Sequence, residues 1–272
     1  MRLAHLRLPN ITPFARVSHI QELLTTRLLS EKKEASLPST DQTIITFTPN
    51  PVYTTGRRDL PPAHNKHNNN NNEHSTKLSL PKSLEPVRSL LTPSCNGNAK
   101  VEYHPTLRGG QTTYHGPGQM VAYTILDLRR LGLSPRSHIR LLEDSVIDVL
   151  HGYGIRGLIT DDPGVWVMSP PPSDKAVPKK ITAVGVHLRR NISSYGIGFN
   201  VTEEPMWYFA QIVPCGLEGK EATSLEAMMG VEEGVGVNQV ASKFVDAFVA
   251  RLNGDAACRE KIEVYPIGVD DI

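Results

Sequence analysis

Apolar residues recur along the chain at two spacings, which predict strands and helices in mixed order. Runs rich in β-branched and aromatic residues predict strands at 3–8, 43–48, 120–128, 164–168, 181–188 and 194–201. Apolar residues that share one helical face predict helices at 18–29, 137–150, 223–229 and 238–252. Segments 164–168 and 181–188 fit a hairpin. This order predicts an α/β (α+β) domain, in which helices flank a mixed sheet.

Local signals refine the ends of these elements. Ser18 and Gln21 have the spacing of a capping box and predict the start of the first helix. Segment 50–58 is predicted to be a loop. Between residues 60 and 100 the composition changes to five prolines and an asparagine tract at 68–72. Because long structureless loops are rare inside compact domains, we expect a disordered insertion at 60–100 within a single domain spanning 1–272.

Composition narrows the classes of protein that fit. Lys and Arg total 29 against 28 Asp and Glu, and the net charge of +1 gives no electrostatic case for nucleic acid or an anionic membrane as partner. The three cysteines, Cys95, Cys215 and Cys258, are far apart, which favours a reducing compartment over a disulfide framework. No apolar run reaches the roughly 20 residues that span a bilayer. We therefore expect a soluble intracellular protein.

The N-terminal residues have two interpretations. Arg2, Arg7 and Arg16 precede the first acidic residue, Glu22, and this composition is typical of a mitochondrial targeting segment. The same residues also fit a first strand and the start of a helix, so both interpretations stay open.

Residues 108–128 form the most unusual stretch of the chain. Four glycines and a proline lie between positions 109 and 118, and an apolar strand follows. Glycine permits sharp turns and close approach of the backbone to another group. We expect this stretch to form one wall of a ligand site that leads into a core strand.

Cys215 and Lys180 could carry chemistry at that site. Cys215 lies between Pro214 and Gly216, outside any regular predicted element, although a lone cysteine is more often a small buried residue. Lys180 begins the strand at 181–188, where burial lowers the pKa of an amine, and a nearby ammonium lowers the pKa of a thiol. Such a pair would share one proton. The alternative is that Lys180 is a solvated strand end.

His115 and Arg108 each have a functional and a structural interpretation. A histidine exchanges a proton near pH 7 or satisfies backbone hydrogen bonds, and an arginine anchors a carbonyl or phosphate or stays a surface charge. The histidines show no H-E-x-x-H spacing, and residues 196–198 lack the third glycine of a dinucleotide fingerprint. The sequence predicts no cofactor and no metal.

Five separated blocks together resemble the lipoyl(octanoyl) transferase family, the octanoyl-[acyl-carrier-protein]:protein N-octanoyltransferases. They are RGGQ with YHGPGQ at 108–119, GVWV at 164–167, KI with VGV at 180–186, Gly196 with Asn200, and PCG with TSL at 214–225. They occur in the family's order, and the first block is close to diagnostic. The resemblance extends over nearly the whole chain apart from 60–100 and 169–179.

This resemblance implies the catalytic fold of the biotin and lipoate ligases and a ping-pong acyl transfer. Cys215 would take an octanoyl group from octanoyl-acyl carrier protein as a thioester, and Lys180 would lower its pKa and later accept a proton. Backbone N–H groups around Cys215 and Gly216 would hold the oxyanion. The implied acceptors are lipoyl domains of 2-oxoacid dehydrogenase complexes and the glycine cleavage H protein, and no cofactor is required.

The resemblance also implies an acyl pocket. Its lining would be Arg108, Gly109, Gly110, Gln111, Thr112, Thr113, Tyr114, His115, Ala183, Val184, Gly185, Gly196, Ile197 and Gly198. Glycine would let an eight-carbon chain lie against the backbone, where each buried CH₂ contributes about 0.8 kcal/mol. Tyr195 departs from the pattern, since many members carry histidine there.

Two other functions fit the sequence. One is an ATP-dependent lipoate-protein ligase of the same fold, which needs an adenylate site and no acyl-cysteine. The other is a non-catalytic paralogue that binds lipoyl domains or acyl carrier protein. The presence of both Lys180 and Cys215 favours the transferase. Because the family serves mitochondrial or bacterial lipoyl enzymes, we expect a mitochondrial protein, or otherwise a cytoplasmic one.

Overall fold

The structure is a computed structural model, which describes residues 1–34, 40–60, 79–92, 100–168, 177–217, 219–230, 234–254 and 260–272. The helices are α1 (Phe14–Glu31), α2 (Arg88–Leu91), α3 (Pro135–His151), α4 (Glu204–Phe209), α5 (Leu225–Met229) and α6 (Val237–Gly254). The strands are β1 (Arg2–Thr12), β2 (Gln42–Pro49), β3 (Val52–Thr55), β4 (Glu102–Pro105), β5 (Thr113–His115), β6 (Gln119–Ile125), β7 (Gly157–Leu158), β8 (Val165–Met168), β9 (Pro178–Arg189), β10 (Ile192–Asn200) and β11 (Glu263–Ile267).

Eight strands form one mixed sheet in the order β11-β1-β2-β6-β10-β9-β8-β7, and β4-β3-β5 form a smaller second sheet. In the large sheet β1 runs parallel to both β11 and β2, while the pairings from β2 to β7 are antiparallel. Each strand predicted from the apolar pattern is present, and β8 and β9 form the predicted hairpin. The predicted fold class, a mixed sheet with flanking helices, is confirmed.

Helices cover both faces of the large sheet because side chains alternate along its central strands. In β6, Val121 packs into the cluster that holds the apolar face of α1. Its neighbour Met120 packs on the other face, with Val146 of α3 and Phe244 of α6. The α1 layer and the α3 and α6 layer therefore bury β6 from opposite sides.

Helix α1 begins at Phe14, before Ser18, so the predicted capping box is wrong. Its first N–H group, that of Phe14, donates to the side-chain oxygen of Asn50 at 2.8 Å. Pro13 precedes the helix and provides no side-chain cap. The capping group thus comes from the turn after β2.

Segments predicted to be irregular contain ordered structure. Strand β3 lies within the predicted loop at 50–58. Residues 79–92 contain a 3₁₀ helix at Lys82–Val87 followed by α2, so the prediction of disorder is wrong there. The reason is burial, because Leu84, Val87 and Leu91 pack in one cluster with Tyr53 and Tyr114. The rest of the predicted insertion, 61–78 and 93–99, lies outside the described residues.

The N-terminal residues are part of the large sheet. Strand β1 lies between β2 and β11, with Leu3 and Leu6 buried, and β11 was missed by the sequence pattern. Cleavage of a targeting segment from this region would remove a strand with two partners. Within the described ranges, no helix is long and apolar enough to cross a membrane.

Candidate active site

The glycine-rich stretch is clamped between two parts of the fold. On one side, the N–H of Arg57 donates to the carbonyl of Arg108 at 3.0 Å. On the other, the N–H of Gly109 donates to the carbonyl of Val186 in β9 at 2.9 Å. The backbone at 108–109 is therefore fixed between the turn after β3 and the large sheet.

The Asp59 carboxylate holds the next residues of this wall. Its Oδ2 accepts hydrogen bonds from the backbone N–H and the hydroxyl of Thr112, both at 2.8 Å. Its Oδ1 accepts from the Gln111 side chain at 3.4 Å. Ser83 donates to the same carboxylate at 3.4 Å, so residues 79–92 are tied to the wall as well.

Side chains alternate along β5 and divide between the cavity and the core. Thr113 and His115 line the cavity. Tyr114 points away from it and stacks on Tyr208, with ring centroids 4.2 Å apart and planes 5° apart. Thr112 is engaged by the carboxylate described above. Thr112 and Tyr114, both predicted to line the pocket, instead hold β5 in place.

Arg108 is a buried cation beside the cavity. Its Nη2 donates to the carbonyl and the hydroxyl of Thr54, both at 2.9 Å, and its Nε has no hydrogen-bond partner among the described residues. Burial lowers the pKa of Arg108, and the nearby Cys215 opposes that shift. The side chain is therefore a fixed positive group in the wall.

A chain of hydrogen bonds, called the relay below, determines which ring nitrogen of His115 carries the proton. Asn200 Nδ2 donates to the Thr223 carbonyl at 2.9 Å, Gln119 Nε2 donates to Asn200 Oδ1 at 2.7 Å, and His115 Nδ1 lies 3.0 Å from Gln119 Oε1. Because a carbonyl only accepts, the whole relay has one direction and places the proton on Nδ1. Burial, together with Arg108, lowers the pKa of His115 to about 3. His115 is neutral near pH 7.

The residues around Cys215 form a strained turn, the 3₁₀ helix Pro214–Gly216. Cys215 has a φ of 55°, in the left-handed region that non-glycine residues rarely adopt. Its N–H donates to the carbonyl of Thr112 at 2.8 Å, and the N–H of Gly216 donates to that of Val213 at 3.2 Å. The N–H groups of Cys215 and Gly216 themselves are thus already bonded to carbonyls, although an oxyanion site was expected around them.

Lys180 is held at both its backbone and its amine. Its N–H donates to the Glu221 carbonyl at 2.8 Å, and its carbonyl accepts from the Thr223 N–H at 3.0 Å. Its Nζ donates to the carbonyl of Pro163 at 2.9 Å. Burial lowers the pKa of Lys180, and the electrostatic effect of Cys215 opposes that shift. The lysine and the cysteine are thus electrostatically coupled.

A cavity of about 530 Å³ lies between these elements, and both Cys215 and Lys180 line it. The predicted residues that line it are Arg108, Gly109, Gly110, Gln111, Thr113, His115, Ala183, Val184, Gly185, Gly196, Ile197 and Gly198. All of the predicted site residues except Thr112 and Tyr114 are therefore brought together. Their roles in binding stay a prediction.

Two glycines of the cavity lining lie close to side chains across from them. A Cβ at Gly185 would lie 3.2 Å from Cδ of Arg108, and one at Gly198 would lie 2.9 Å from Cε1 of His115. Both neighbours are held by hydrogen bonds. The backbone is bare at these positions because the opposite wall is close.

The comparison with known families agrees with this geometry. Residues 20–249 match the model of the lipoyl protein ligase A/B catalytic domain, which is most of the chain. The chain belongs to this family.

Relatives within the lipoyl protein ligase A/B family indicate which type of reaction this chain catalyses. A Schizosaccharomyces pombe protein named "Probable octanoyltransferase" is 34% identical over 240 residues, or 88% of this chain and 92% of that protein. An octanoyltransferase of Paracoccus denitrificans is 45% identical over 48% of this chain and 62% of its own. The mitochondrial octanoyl-[acyl-carrier-protein]:protein N-octanoyltransferase of Xenopus tropicalis is 40% identical over 54% of this chain and 57% of its own. The chain is an acyltransferase of the octanoyltransferase family.

Solved structures show the same fold. A bi-partite lipoate protein ligase from Thermoplasma acidophilum superposes with a TM-score of 0.58 at 11% identity, over 98% of this chain and 86% of that one. Lipoate-protein ligase A bound with ATP superposes with a TM-score of 0.56 at 13% identity, over 99% and 90%. The lipoate ligase catalytic fold expected from the resemblance is confirmed.

Tyr195, the departure from the family pattern, has its side chain outside the cavity lining. Its hydroxyl accepts from the N–H of Leu107 at 3.3 Å, and its ring lies edge-on to Tyr123 with centroids 5.3 Å apart. Its own N–H donates to Gln21 of α1 at 2.7 Å. The residue therefore links β10 to α1 and the wall.

Sequence reasoning missed three parts of this octanoyltransferase-family site. Asp59 directly follows the predicted loop at 50–58 and carries no local signal. The Asp-Asp-Pro run at 161–163 is a turn signal before a strand. The Pro163 carbonyl in this run accepts a hydrogen bond from Nζ of Lys180. Glu143 stands four positions after Ile139 on the apolar face of a predicted helix, and an acidic residue at such a position is a signal that could have been read.

Proposed function

We propose that this acyltransferase moves an octanoyl group from octanoyl-acyl carrier protein to a lysine of a lipoyl domain through a thioester of Cys215. The observation that supports it most is that Cys215 and Lys180 line one cavity, where burial lowers the pKa of the lysine. The printed name of the Xenopus tropicalis relative supports the acyl group and the donor. The lipoylation-system structure of Thermoplasma acidophilum, a ligase with its lipoyl domain, supports the acceptor.

In the first half of the reaction the Cys215 thiol passes its proton to Lys180 and attacks the carbonyl carbon of the donor thioester. The new bond joins Sγ to the octanoyl carbon, and the bond to the carrier sulfur breaks. The Lys180 ammonium returns the proton to the departing carrier thiolate. The products are an octanoyl-enzyme and a free carrier thiol, with Lys180 neutral.

In the second half the amine of the acceptor lysine attacks the octanoyl-Cys215 thioester. An amide forms, the Sγ–carbon bond breaks, and Lys180 takes the proton that the amine loses. A lowered pKa suits Lys180 to this role, since a base must be unprotonated when the amine arrives. Exchange between thioesters is nearly balanced and amide formation is downhill, so the cycle requires no ATP.

The oxyanion of each tetrahedral intermediate needs a donor other than the two N–H groups of the cysteine turn, since those are bonded to carbonyls. Lys180 offers one, because an ammonium has three N–H donors and Pro163 accepts one of them. The same amine would thus stabilise the oxyanion and move the proton.

The shape of the cavity suits an unbranched acyl chain. Gly185 and Gly198 expose backbone along its wall, and Ala183, Val184 and Ile197 add apolar surface. Burial of the seven carbons beyond the carbonyl at about 0.8 kcal/mol each provides several kcal/mol of binding free energy. The chain length then sets much of the specificity.

The decisive experiment is intact-mass analysis after incubation with octanoyl-acyl carrier protein. We expect one octanoyl unit on the wild-type chain, none on Cys215→Ala, and unchanged labelling of Cys95→Ala and Cys258→Ala, the matched controls. Addition of a lipoyl domain should move the label to the domain. An unlabelled wild-type chain would refute the proposal.

The same assay separates transfer from ligation. Ligases of this fold use ATP to activate a free acid, whereas the proposed thioester route starts from an activated acyl group. Transfer from octanoyl-acyl carrier protein should proceed at the same rate with and without ATP. Labelling that needs ATP and free octanoate would favour the ligase.

We place the protein in mitochondria. The Xenopus tropicalis relative and a Drosophila melanogaster relative, 39% identical over 57% of this chain, both carry that compartment in their names. Fluorescence of a C-terminal fusion that co-localises with a mitochondrial dye is the expected result. A fusion spread through the cytoplasm would contradict it.

A further inference from the structure

Glu143 is a buried carboxylate that the proposed transfer does not use. It lies in α3, on the side that packs against the sheet, and is 4% exposed. A buried carboxylate is destabilising unless hydrogen bonds satisfy it. Its Oε1 accepts a hydrogen bond from the N–H of Gly164 at 2.9 Å. The carboxylate therefore anchors the backbone segment that contains Gly164.

Gly164 is the last residue of the turn at 161–164, which faces Lys180. Its φ of 124° is accessible to glycine and strained for other residues. A Cβ there would lie 3.3 Å from Cε and 3.5 Å from Nζ of Lys180. The backbone of the turn thus packs directly against the end of the lysine side chain, and the preceding carbonyl, that of Pro163, accepts from Nζ.

A second anchor holds the other end of this turn. Trp166 Nε1 donates to the carbonyl of Asp162 at 3.1 Å, and the indole ring lies 4.8 Å from Lys180 Nζ. The Asp162 carboxylate also pairs with Lys220. The turn is therefore fixed from the sheet by Trp166 and from the helix layer by Glu143.

We infer that Glu143 is a positioning residue for the proposed reaction: its carboxylate holds the N–H of Gly164, so that the Pro163 carbonyl keeps Nζ of Lys180 at the cavity that Cys215 also lines. This inference rests on the proposed function. It assigns a role in acyl transfer to a residue of α3 that contacts no reacting atom. Without the Glu143 carboxylate the turn would lose its anchor at Gly164. The Lys180 amine would then be less precisely positioned.

Charged groups from every neighbouring element act on this pair. Those around Lys180 are Cys215, Asp162, Lys220 and Glu143, and those around Glu143 are Arg140, Asp144 and Lys180. Burial raises the pKa of Glu143, and the Gly164 hydrogen bond opposes that shift. The charge of Glu143 raises the pKa of Lys180, against the larger effect of burial. A test must therefore separate the effect of the Glu143 charge from that of its hydrogen bond to Gly164.

Two variants make that separation. Glu143→Gln removes the charge and keeps an oxygen that accepts from Gly164, whereas Glu143→Ala removes both. A comparison of the two variants with each other isolates the hydrogen bond, because both lack the charge. Asp144→Asn is the matched control, since it loses a neighbouring charge in the same helix, paired with Arg251 at 3.5 Å.

The readouts are the rate of octanoyl transfer and the pH dependence of alkylation by iodoacetamide. Alkylation reports the thiolate of Cys215 in a chain that also carries Cys95→Ala and Cys258→Ala. We expect Glu143→Ala to transfer at least about tenfold more slowly, as misplacement of a reacting group does, while Glu143→Gln and Asp144→Asn stay close to wild type. The alkylation midpoint should lie at higher pH in Glu143→Ala than in Glu143→Gln.

The results distinguish this inference from its alternatives. Equal transfer rates and equal alkylation midpoints in the two folded Glu143 variants would overturn it. If Glu143→Ala does not fold, Glu143→Asp takes its place, since it keeps the charge and withdraws it from Gly164; an unchanged rate and midpoint would again overturn the inference. If alkylation shifts as expected but the wild-type chain takes no octanoyl group, the positioning role stands and the proposed reaction fails.

Discussion

Removal of the Asp59 carboxylate should weaken both the fold and the site. The carboxylate accepts from the N–H and the hydroxyl of Thr112 at 2.8 Å, and from Gln111 and Ser83 at 3.4 Å. Thr112 is fully buried, so the carboxylate is the acceptor that its N–H reaches in the folded chain. Asp59→Ala would therefore leave a buried backbone N–H and a buried hydroxyl without this partner, at the point where the wall enters β5.

The size of the effect follows from these contacts. A buried donor left unpaired costs about 1–3 kcal/mol. The hydroxyl keeps a contact with the Ser83 hydroxyl at 2.6 Å, so the backbone N–H carries most of the loss, roughly 2 kcal/mol. For a chain of this size each kcal/mol lowers Tm by about 2–4 °C, so the expected decrease is roughly 4–8 °C. Asp59→Asn keeps one acceptor for the Thr112 N–H and should lose about a third of that.

Calorimetry and transfer kinetics test this together. We expect a lower Tm for Asp59→Ala, a smaller decrease for Asp59→Asn, and a higher KM for the octanoyl donor, since Gln111 lines the cavity. Asp270→Ala, which removes an exposed carboxylate, is the control. A Tm for Asp59→Ala within about 1 °C of wild type would show that the wall does not depend on this carboxylate.

Three other changes probe the cavity and its relay. Ala183→Leu, which enlarges a side chain that lines the cavity, should favour shorter donors, because exclusion of two methylenes costs about 1.6 kcal/mol, or roughly 14-fold in hexanoyl over octanoyl preference; competition between the two donors measures it, and an unchanged ratio would place the chain elsewhere. The pKa of His115 is lowered to about 3 from its ordinary 6.5, so its contribution to stability is present above about 6.5 and is lost as pH falls toward 3, by up to about 1.4 kcal/mol per unit. The stability difference between wild type and His115→Gln should follow that slope in urea unfolding, and a flat difference would contradict the neutral assignment. Asn200→Ala breaks the relay between Gln119 and Thr223 and should cost about 2–4 kcal/mol by thermal unfolding, whereas Asn238→Ala at the exposed start of α6 should cost little.

Much of the fold was predictable because its signals are local. A run of β-branched and aromatic residues is enough to predict strand β2, which is buried along nearly its whole length, and the spacing of apolar residues predicts helix α3, which buries one face. The start of α1 was mispredicted because its cap is Asn50, distant in sequence. Residues 79–92 were predicted to be disordered because their apolar side chains meet tyrosines from other elements, which a window of local sequence does not contain.

The chemistry of the site divides in the same way. The glycine-rich wall has a recognisable local form, whereas Cys215 and Lys180 were singled out by the order of five separated blocks and the family resemblance that these blocks carry. Only the folded chain decides that Thr112 and Tyr114 face away from the cavity and that the N–H of Cys215 is already bonded to a carbonyl. It also decides that Asp59 accepts from the N–H of Thr112 and Glu143 from that of Gly164. These outcomes depend on hydrogen bonds between residues far apart in sequence, and their geometry exists only once the sheet and the helices have packed.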